Sequence, residues 1–237
     1  MKPYQTGILF VHGIQGNPEL FRFLIDQMPH SILIRNVLLP GHGASTNEFR
    51  KAKAAKWLQA VKEACVDLTS KCEHIIFVGH SMGCLLGLLT EQEQRAFSGM
   101  LLMCCPFFIR PTFRFFRNSL FAAFNTGDTT DPFLKAAREA NSVSAKHAVS
   151  YLLCIQPYLE LLKIIHDTKD CRLIIPPQTV FCYSSSDEIV GKKSILYVQN
   201  QLSANTEVLI RCGHNYFTSE AQARMVSLLL NMVVHSS

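Results

Sequence analysis

The stretch that decides the fold runs from His74 to Leu89 and reads HIIFVGHSMGCLLGLL. It opens with a short run of β-branched and aromatic residues, Ile75–Val78, which is typical of a buried strand. It closes with an apolar run, Leu85–Leu89, which is typical of a buried helix. Between them lies Gly79-His80-Ser81-Met82-Gly83, a Gly-x-Ser-x-Gly pattern. The stretch therefore predicts a strand, a sharp turn that carries Ser81, and a helix.

The chemistry of such a turn depends on its glycines and its serine. A tight turn between strand and helix brings backbone segments very close together, so the flanking positions need glycine. The same turn projects the serine hydroxyl from the edge of the sheet at which the strands end, which we call the carboxyl edge. We therefore interpret Ser81 as a nucleophile. The alternative is a glycine-rich turn whose serine only caps the following helix.

Outside this stretch, short apolar runs alternate with longer amphipathic ones, which indicates a mostly parallel sheet with helices on both faces. The predicted strands are Gly7–Val11, Ser31–Leu39, His74–Val78, Met100–Cys104, Gln178–Tyr183 and Thr206–Arg211. The main predicted helices are Asn17–Met28, Ala52–Ser70, the apolar run through Leu89, Phe133–Ala140, His147–His166 and Ser219–Val234. We predict a single α/β domain over residues 1–237 with a six-stranded sheet.

The segment at about residues 106–170 breaks this alternation. It is too long for an ordinary loop between a strand and a helix, and it combines helical patterns with many aromatic residues. We predict a helical cap inserted at the carboxyl edge. Its stretch Phe107–Arg117 mixes phenylalanines with arginines, and Phe107, Phe108 and Phe113 are candidate substrate-binding residues. The alternative is that these rings only pack the cap onto the sheet.

A serine hydroxyl is a weak nucleophile at neutral pH and needs a base beside it. The chain has nine histidines, and their positions separate them. His214 follows the last predicted strand and precedes the last helix, so it lies at the same edge as Ser81. We interpret His214 as the general base. His12 belongs to the loop after the first strand, and we interpret His42 as a structural loop residue.

The base in turn needs an acid that orients its ring and stabilises the imidazolium. Asp187 follows the fifth predicted strand and therefore emerges at the carboxyl edge. Its neighbour Glu188 is the alternative, and we prefer Asp187 because Glu188 would point differently from this loop. The order of serine, aspartate and histidine along the chain separates this arrangement from those of other serine hydrolase folds.

Acyl transfer through a serine also requires two backbone N–H groups directed at the developing negative charge. One is predicted to come from Met82, the residue after the nucleophile. The other is predicted to come from His12–Gly16, which we call the oxyanion loop, because its glycines let the backbone turn towards the site. Ile14 is the preferred donor, and Gln15 is the alternative.

Five segments carry a family resemblance: Phe10–Asn17, Leu39–Ser45, Gly79–Gly83, Asp187–Val190 and Gly213-His214. In order and spacing they resemble the α/β-hydrolase superfamily, and most of all its small bacterial carboxylesterases and monoacylglycerol lipases. The resemblance covers nearly the whole chain apart from the cap. It implies an α/β-hydrolase fold and hydrolysis of an acyl ester through an acyl-enzyme, with Ser81, Asp187 and His214 as the triad.

Composition argues against several other classes. A hydrophobic content of 48% with 17% charged residues indicates a globular chain. No apolar run reaches the roughly 18 residues that a membrane span needs, and we predict neither a signal peptide nor stable membrane insertion. The nine cysteines lie in apolar segments, so we expect reduced thiols and a cytoplasmic protein. The net charge of +5 is mild, and its basic clusters do not indicate a nucleic-acid partner.

We therefore expect a serine hydrolase that needs no cofactor and no metal. Its partner would be a small-molecule ester with a small or medium apolar acyl part, or a monoacylglycerol-like ester. An amidase, a peptidase or an acyltransferase would use the same triad. A non-catalytic binding module is a further alternative, although such proteins usually lose a triad member. The sequence does not indicate an oligomeric state.

Overall fold

The computed structural model describes residues 2–123, 126–128, 130–143 and 154–235, without the side chains of Leu120 and Ala123. Within these residues the strands are Tyr4–Val11 (β1), Leu33–Val37 (β2), Cys72–His80 (β3), Gly99–Met103 (β4), Gln178–Ser184 (β5) and Asn205–Leu209 (β6). They form one sheet in the order β2-β1-β3-β4-β5-β6, and every neighbouring pair is parallel. The predicted fold class, an α/β fold with a six-stranded parallel sheet, is confirmed.

The helices lie between these strands and after the last one. They are Arg22–Ile25 (α1), Thr46–Phe49 (α2), Ala54–Lys71 (α3), Met82–Gln94 (α4), Phe113–Ala123 (α5), Pro132–Ala140 (α6), Ile155–Asp170 (α7), Lys192–Tyr197 (α8) and Ser219–His235 (α9). A short 3-10 helix, Pro18–Phe21, precedes α1, and a π-helical turn, Val198–Leu202, follows α8. The predicted helix His147–His166 lies partly outside the described residues, and its described part begins at Ile155.

Several elements differ from the sequence prediction, among them α2, which was not predicted. The single helix predicted over 17–28 is divided into the 3-10 helix and the four-residue α1, with Asn17 accepting the N–H of Glu19 at its start. Helix α5 was not predicted as a separate element, because its stretch was interpreted from its mixture of phenylalanine and arginine and not from helical spacing. Helix α8 was not predicted either, since six residues are too few to show a helical period.

The core lies on both faces of the sheet, because successive side chains of a strand point to opposite faces. Leu9 and Phe77 pack on one face, which α3, α4 and α7 cover. Phe10 and Val78 pack on the other face, which α1 and α9 cover. All four side chains are fully buried, and each contributes about 1.5–3 kcal/mol to stability. The two cores hold the sheet rigid, so its carboxyl edge is a fixed platform.

The described part of the segment between β4 and β5 forms α5, α6 and α7. Helix α7 packs against α3 and α4, whereas α5 and α6 pack against each other and line a cavity over the carboxyl edge. The division of the chain into one domain with a cap at about residues 106–170 stays a prediction. Among the described residues, no helix is both long enough and apolar enough to span a bilayer.

Candidate active site

Ser81 lies in the turn between β3 and α4. Its φ of +51° is in the left-handed region, which residues other than glycine rarely adopt. Its N–H donates to the carbonyl of Met103 (2.8 Å), and its own carbonyl accepts from the N–H of Cys84 (2.9 Å). These two bonds hold the strained conformation. The turn therefore fixes the Ser81 side chain at the carboxyl edge.

The glycines on either side of Ser81 are required by close packing. A Cβ atom on Gly83 would overlap the carbonyl oxygen of Val11, and one on Gly79 would lie 2.8 Å from the backbone nitrogen of Cys84. In both cases the obstacle is backbone, which cannot turn aside as a side chain can. The Gly-x-Ser-x-Gly pattern thus forms the tight turn for which its glycines were interpreted.

Three side chains predicted from the sequence meet at this turn. Oγ of Ser81 lies 3.0 Å from Nε2 of His214. Nδ1 of His214 lies 3.1 and 3.0 Å from the two carboxylate oxygens of Asp187. His214 follows β6 and Asp187 follows β5, so the parallel topology brings both to the edge that carries Ser81. The arrangement is suited to proton transfer from hydroxyl to imidazole, and the catalytic roles themselves stay a prediction.

Asp187 is held as a carboxylate by several donors. Its Oδ1 also accepts the N–H groups of Ile189 and Val190, each at 2.8 Å. Burial raises the pKa of Asp187, but the charge and hydrogen bond of His214 and the two N–H groups outweigh it. The pKa of Asp187 therefore lies below its ordinary value, and the group is ionised at neutral pH.

The electrostatics of His214 follow from the same pair. Burial by itself lowers the pKa of His214, but the charge and hydrogen bond of Asp187 and the charge of Glu188 outweigh it. The pKa of His214 therefore lies above its ordinary value. An imidazole tuned in this way would hold more firmly a proton taken from Ser81.

Glu188 faces the backbone of His214 and not its ring. Its Oε2 accepts the N–H of His214 at 2.7 Å, and the residue is buried. Gly213 makes this approach possible, because a Cβ there would lie 2.9 Å from Oε2 of Glu188. Burial raises the pKa of Glu188, and the N–H of His214 partly opposes that rise. The structure thus places Asp187, and not its rival Glu188, against the imidazole.

His80 holds the other backbone group of the same residue. Its Nε2 donates to the carbonyl of His214 at 2.8 Å, and the two ring centroids are 5.0 Å apart. Burial, followed by the charge of His214, lowers the pKa of His80 to about 3, so the ring is a neutral donor. Sequence reasoning gave no role to His80 and considered Glu188 only as a rival acid. The one feature of the sequence that could have pointed to His80 and Glu188 is that each is adjacent to a residue of the predicted triad.

The oxyanion loop lies beside Ser81, and both Ile14 and Gln15 line the cavity there. The N–H of Gln15 donates to Nε2 of His42 at 3.0 Å, so it is not directed at a substrate. Met82 is the first residue of α4, where N–H groups have no acceptor within the helix and the helix dipole is positive. Ile14 and Met82 stay the predicted oxyanion donors, and the His42 contact disfavours Gln15.

Two buried histidines shape the oxyanion loop. Nδ1 of His12 donates to the carbonyl of Gly13 (2.8 Å), and its Nε2 accepts the N–H of Leu39 (3.1 Å). Burial lowers the pKa of His12 to about 4. Burial, with the charge of His12, lowers the pKa of His42 to about 3. Both rings are therefore neutral, which lets each accept an N–H through Nε2 and fix the loop.

The end of α6 is tied to the oxyanion loop and to Asn17, the residue that follows this loop. Nδ2 of Asn17 donates to the carbonyls of Glu139 and Ala140 at 2.9 and 3.1 Å. Oγ of Ser142 donates to the carbonyl of Gly16 at 2.6 Å. The segment above the carboxyl edge is thus anchored to the loop that carries a predicted oxyanion donor.

The side chains of His80, Cys104 and His214 form the one group of possible metal ligands found in the described ranges, with ligand atoms within 4.8 Å of one another. Both ring nitrogens of His214 face its triad partners, and Nε2 of His80 donates to a carbonyl. A metal at this point would compete with the triad for His214. We therefore interpret His214 as the partner of Ser81 and Asp187 and not as a metal ligand.

A cavity of about 410 Å³ opens beside Ser81 and His214. Its wall is mainly apolar, and its volume suits a small or medium ligand. Its larger apolar side chains are Leu20, Ile109, Phe115, Phe133, Tyr158 and Leu161. The arrangement can therefore seat an apolar group next to an activated hydroxyl.

None of the three phenylalanines predicted to bind substrate lies in the wall of this cavity. Phe107 is fully buried and packs 4.7 Å from the ring of Tyr197. Phe108 also packs against Tyr197, at 5.9 Å. Phe113 is 83% exposed at the start of α5. The cavity is reached instead by Phe115, because the helical period of α5 turns this residue inward.

A model of the alpha/beta hydrolase family matches residues 8–228. The chain therefore belongs to the alpha/beta hydrolase family, and the predicted resemblance is confirmed. A search of curated proteins finds no significant match.

Several solved structures share the fold. One comes from the work on the metagenome-derived lipolytic enzymes LipS and LipT. It is 18% identical to this chain, the match covers 99% of this chain and 96% of that chain, and the TM-score is 0.68. The monoacylglycerol lipase of Paleococcus ferrophilus has 16% identity, 99% and 97% coverage and a TM-score of 0.63. The N-formylmaleamic acid deformylase of Pseudomonas putida has 16% identity, 95% and 93% coverage and a TM-score of 0.62. At these identities the similarity shows the fold alone.

Proposed function

We propose that this protein is a serine hydrolase that cleaves carboxylic esters with a small or medium apolar acyl part, or monoacylglycerol-like esters. The observation that carries the proposal is the continuous set of contacts from Oγ of Ser81 through His214 to Asp187, with 3.0 Å between hydroxyl and imidazole. This set lies at the wall of a mainly apolar cavity.

In the proposed reaction, Oγ of Ser81 attacks the ester carbonyl carbon while Nε2 of His214 takes the hydroxyl proton. The negative oxygen of the tetrahedral intermediate accepts from the N–H groups of Ile14 and Met82. The intermediate collapses, His214 gives its proton to the leaving alcohol, and the acyl group stays on Ser81. Water then attacks the acyl-enzyme with His214 as base, which releases the carboxylic acid and restores the hydroxyl.

The cavity favours a neutral, apolar substrate. Its wall in the described part of the chain has no lysine or arginine, and it includes the buried Glu188. An anionic substrate would meet that carboxylate in a region of low dielectric constant. The lipolytic enzymes and the monoacylglycerol lipase among the similar structures support an ester. The deformylase makes an amide the rival substrate.

The test is hydrolysis of p-nitrophenyl esters from acetate to palmitate by the wild type, Ser81→Ala and the control Ser227→Ala, an exposed serine on α9. We expect Ser81→Ala to lower turnover by several orders of magnitude and the control to leave it unchanged. Equal activity of the wild type and Ser81→Ala would contradict the proposal. Faster turnover of matched p-nitroanilides than of esters would assign the protein to the amidases.

We also propose that the enzyme acts in the cytoplasm. Eight of its nine cysteines are buried, and the chain forms no disulfide in its described part, as is usual in a reducing compartment. Thiol titration of the denatured protein, purified from its native cells under alkylating conditions, is expected to count nine reduced thiols. A substantially lower count would argue against this location.

A further inference from the structure

Asn118, on α5, places a buried donor in the cavity wall. The residue is 4% exposed and lines the cavity. Its Nδ2 meets no acceptor within the part of the chain that the structure describes. A buried amide donor without an acceptor is costly, so native structures rarely leave one without a partner or a ligand.

Arg117 fixes which way this amide points. Oδ1 of Asn118 accepts from Nε and Nη2 of Arg117 at 3.2 and 3.1 Å. A guanidinium has donors only, so the amide oxygen must face it and the amide nitrogen must face away. Arg117 is itself held by Asp131 at the start of α6, with 3.2 Å from Nη2 to the carboxylate. The amide nitrogen of Asn118 is therefore held on the side away from Arg117.

The period of α5 explains why Asn118 faces the cavity. Phe115, Asn118 and Ser119 are spaced as neighbours on one helix face, and all three line the cavity. Phe113 lies on the opposite face and Phe116 at its flank, and they are 83% and 60% exposed. The position of the donor thus follows from the orientation of the whole helix.

The acceptor that fits this donor is a neutral oxygen. Arg117 is paired with Asp131 and does not line the cavity. Glu188 adds a buried carboxylate to the cavity wall. A carboxylate or phosphate would meet this charge without a cation to balance it. A carbonyl, hydroxyl or ether oxygen accepts from Nδ2 without that cost.

We propose that Asn118 donates a hydrogen bond to a second, neutral oxygen of the substrate, so that the preferred ester carries a carbonyl, hydroxyl or ether oxygen besides the scissile group. This second oxygen belongs either to the acyl chain or to the alcohol part, as in a monoacylglycerol-like ester. The hydrolysis of such an ester rests on the proposed function, but the hydrogen bond from Asn118 to a bound ligand does not.

Binding is measured in the Ser81→Ala protein, so that the ligands stay intact. Two matched sets are titrated by calorimetry. In the first, methyl hexanoate is compared with ether esters in which an oxygen replaces, in turn, each chain methylene beyond the α-carbon. In the second, propyl hexanoate is compared with glycerol monohexanoate. The first set reports an oxygen in the acyl chain, and the second reports one in the alcohol part.

We expect Ser81→Ala to prefer the oxygenated ligand in one set, and Asn118→Leu in that background to lower this preference by about tenfold. Asn118→Asp keeps an oxygen for Arg117 but replaces the donor with an acceptor, so it should lose the preference too. The control Phe113→Ala, at an exposed position of α5 outside the cavity wall, should keep it. Circular dichroism checks that each variant is folded.

An unchanged preference in Asn118→Leu and Asn118→Asp, or no preference in either set, would overturn the proposal and show that water alone occupies Nδ2. The same ligands are then given to the enzyme with Ser81 intact. If they are bound with the Asn118-dependent preference but not hydrolysed, the ester reaction is wrong and the binding contact stands. If they are hydrolysed without that preference, the reaction stands and the contact is wrong.

Discussion

The loop that carries His214 and the helix α5 above it differ in whether their buried polar groups are hydrogen-bonded. In the loop, the N–H of His214 is bonded to Glu188, its carbonyl is bonded to His80, and both ring nitrogens face triad partners. On α5, Asn118 is equally buried, yet its Nδ2 has no acceptor among the described residues.

Under the proposed function, this difference would separate the reaction from the choice of substrate. A base whose polar groups are all bonded inside the protein is held in one position before substrate arrives. A buried donor that is left open gains its partner only from the correct ligand. We therefore expect changes at the carboxyl edge to lower turnover of every substrate, and changes on α5 to alter which substrate is preferred.

The largest effect is expected from Asp187→Asn at the carboxyl edge. The amide would donate to His214 and favour the wrong tautomer, so kcat for every ester should fall by about 10⁴-fold. The measurement is initial rates over the p-nitrophenyl ester series, with the exposed Asp167→Asn on α7 as control. A loss of less than about tenfold would indicate that Glu188 takes over the role of the acid.

A smaller and selective effect is expected from Phe115→Ala on α5. Removing a ring from the cavity wall enlarges the space for the acyl group, so the optimum chain length should rise and kcat/KM ratios should change by about tenfold. Phe113→Ala is the matched control, because this ring is 83% exposed on the other face. An equal loss of rate for all chain lengths in Phe115→Ala would break the proposed separation of reaction and selection.

The smallest effect is expected from Glu188→Gln, which keeps an oxygen for the N–H of His214 but removes a charge. That charge contributes to the raised pKa of His214. Without it the pKa falls, the base stays neutral at lower pH, and the acidic limb of the pH–rate profile should move to lower pH. A profile of kcat/KM shows the shift, with the exposed Glu220→Gln on α9 as control. A limb that moved to higher pH would contradict this account.

Much of the fold and the meeting of the triad residues was predictable because each depends on local sequence placed by a simple topology. The run around Ser81 is short, and its strand, turn and helix are contiguous. In a parallel sheet, any residue directly after a strand emerges at the carboxyl edge. The positions of His214 and Asp187 could therefore be predicted from the ends of the strands alone. Small errors in the predicted element boundaries did not change those positions.

The supporting contacts were not predictable, because they join distant parts of the chain. His80 holds the carbonyl of a residue 134 positions further along, and Glu188 holds an N–H 26 positions away. The side chains that line the cavity were not predictable for another reason. Phe113 and Phe115 look alike in sequence, and only the rotation of α5 about its axis decides which one faces inward.

The anchor between α6 and the oxyanion loop has a consequence for how new specificities arise in this scaffold. Asn17 binds backbone carbonyls at the end of α6, and every helix presents such carbonyls whatever its sequence. Ser142 contributes a hydroxyl, which a foreign segment need not contain. A laboratory chimera that exchanges residues 106–140 and retains Ser142 would inherit both attachments. Recombination at that point would let the substrate range diverge while the sheet and the residues at its carboxyl edge stay unchanged.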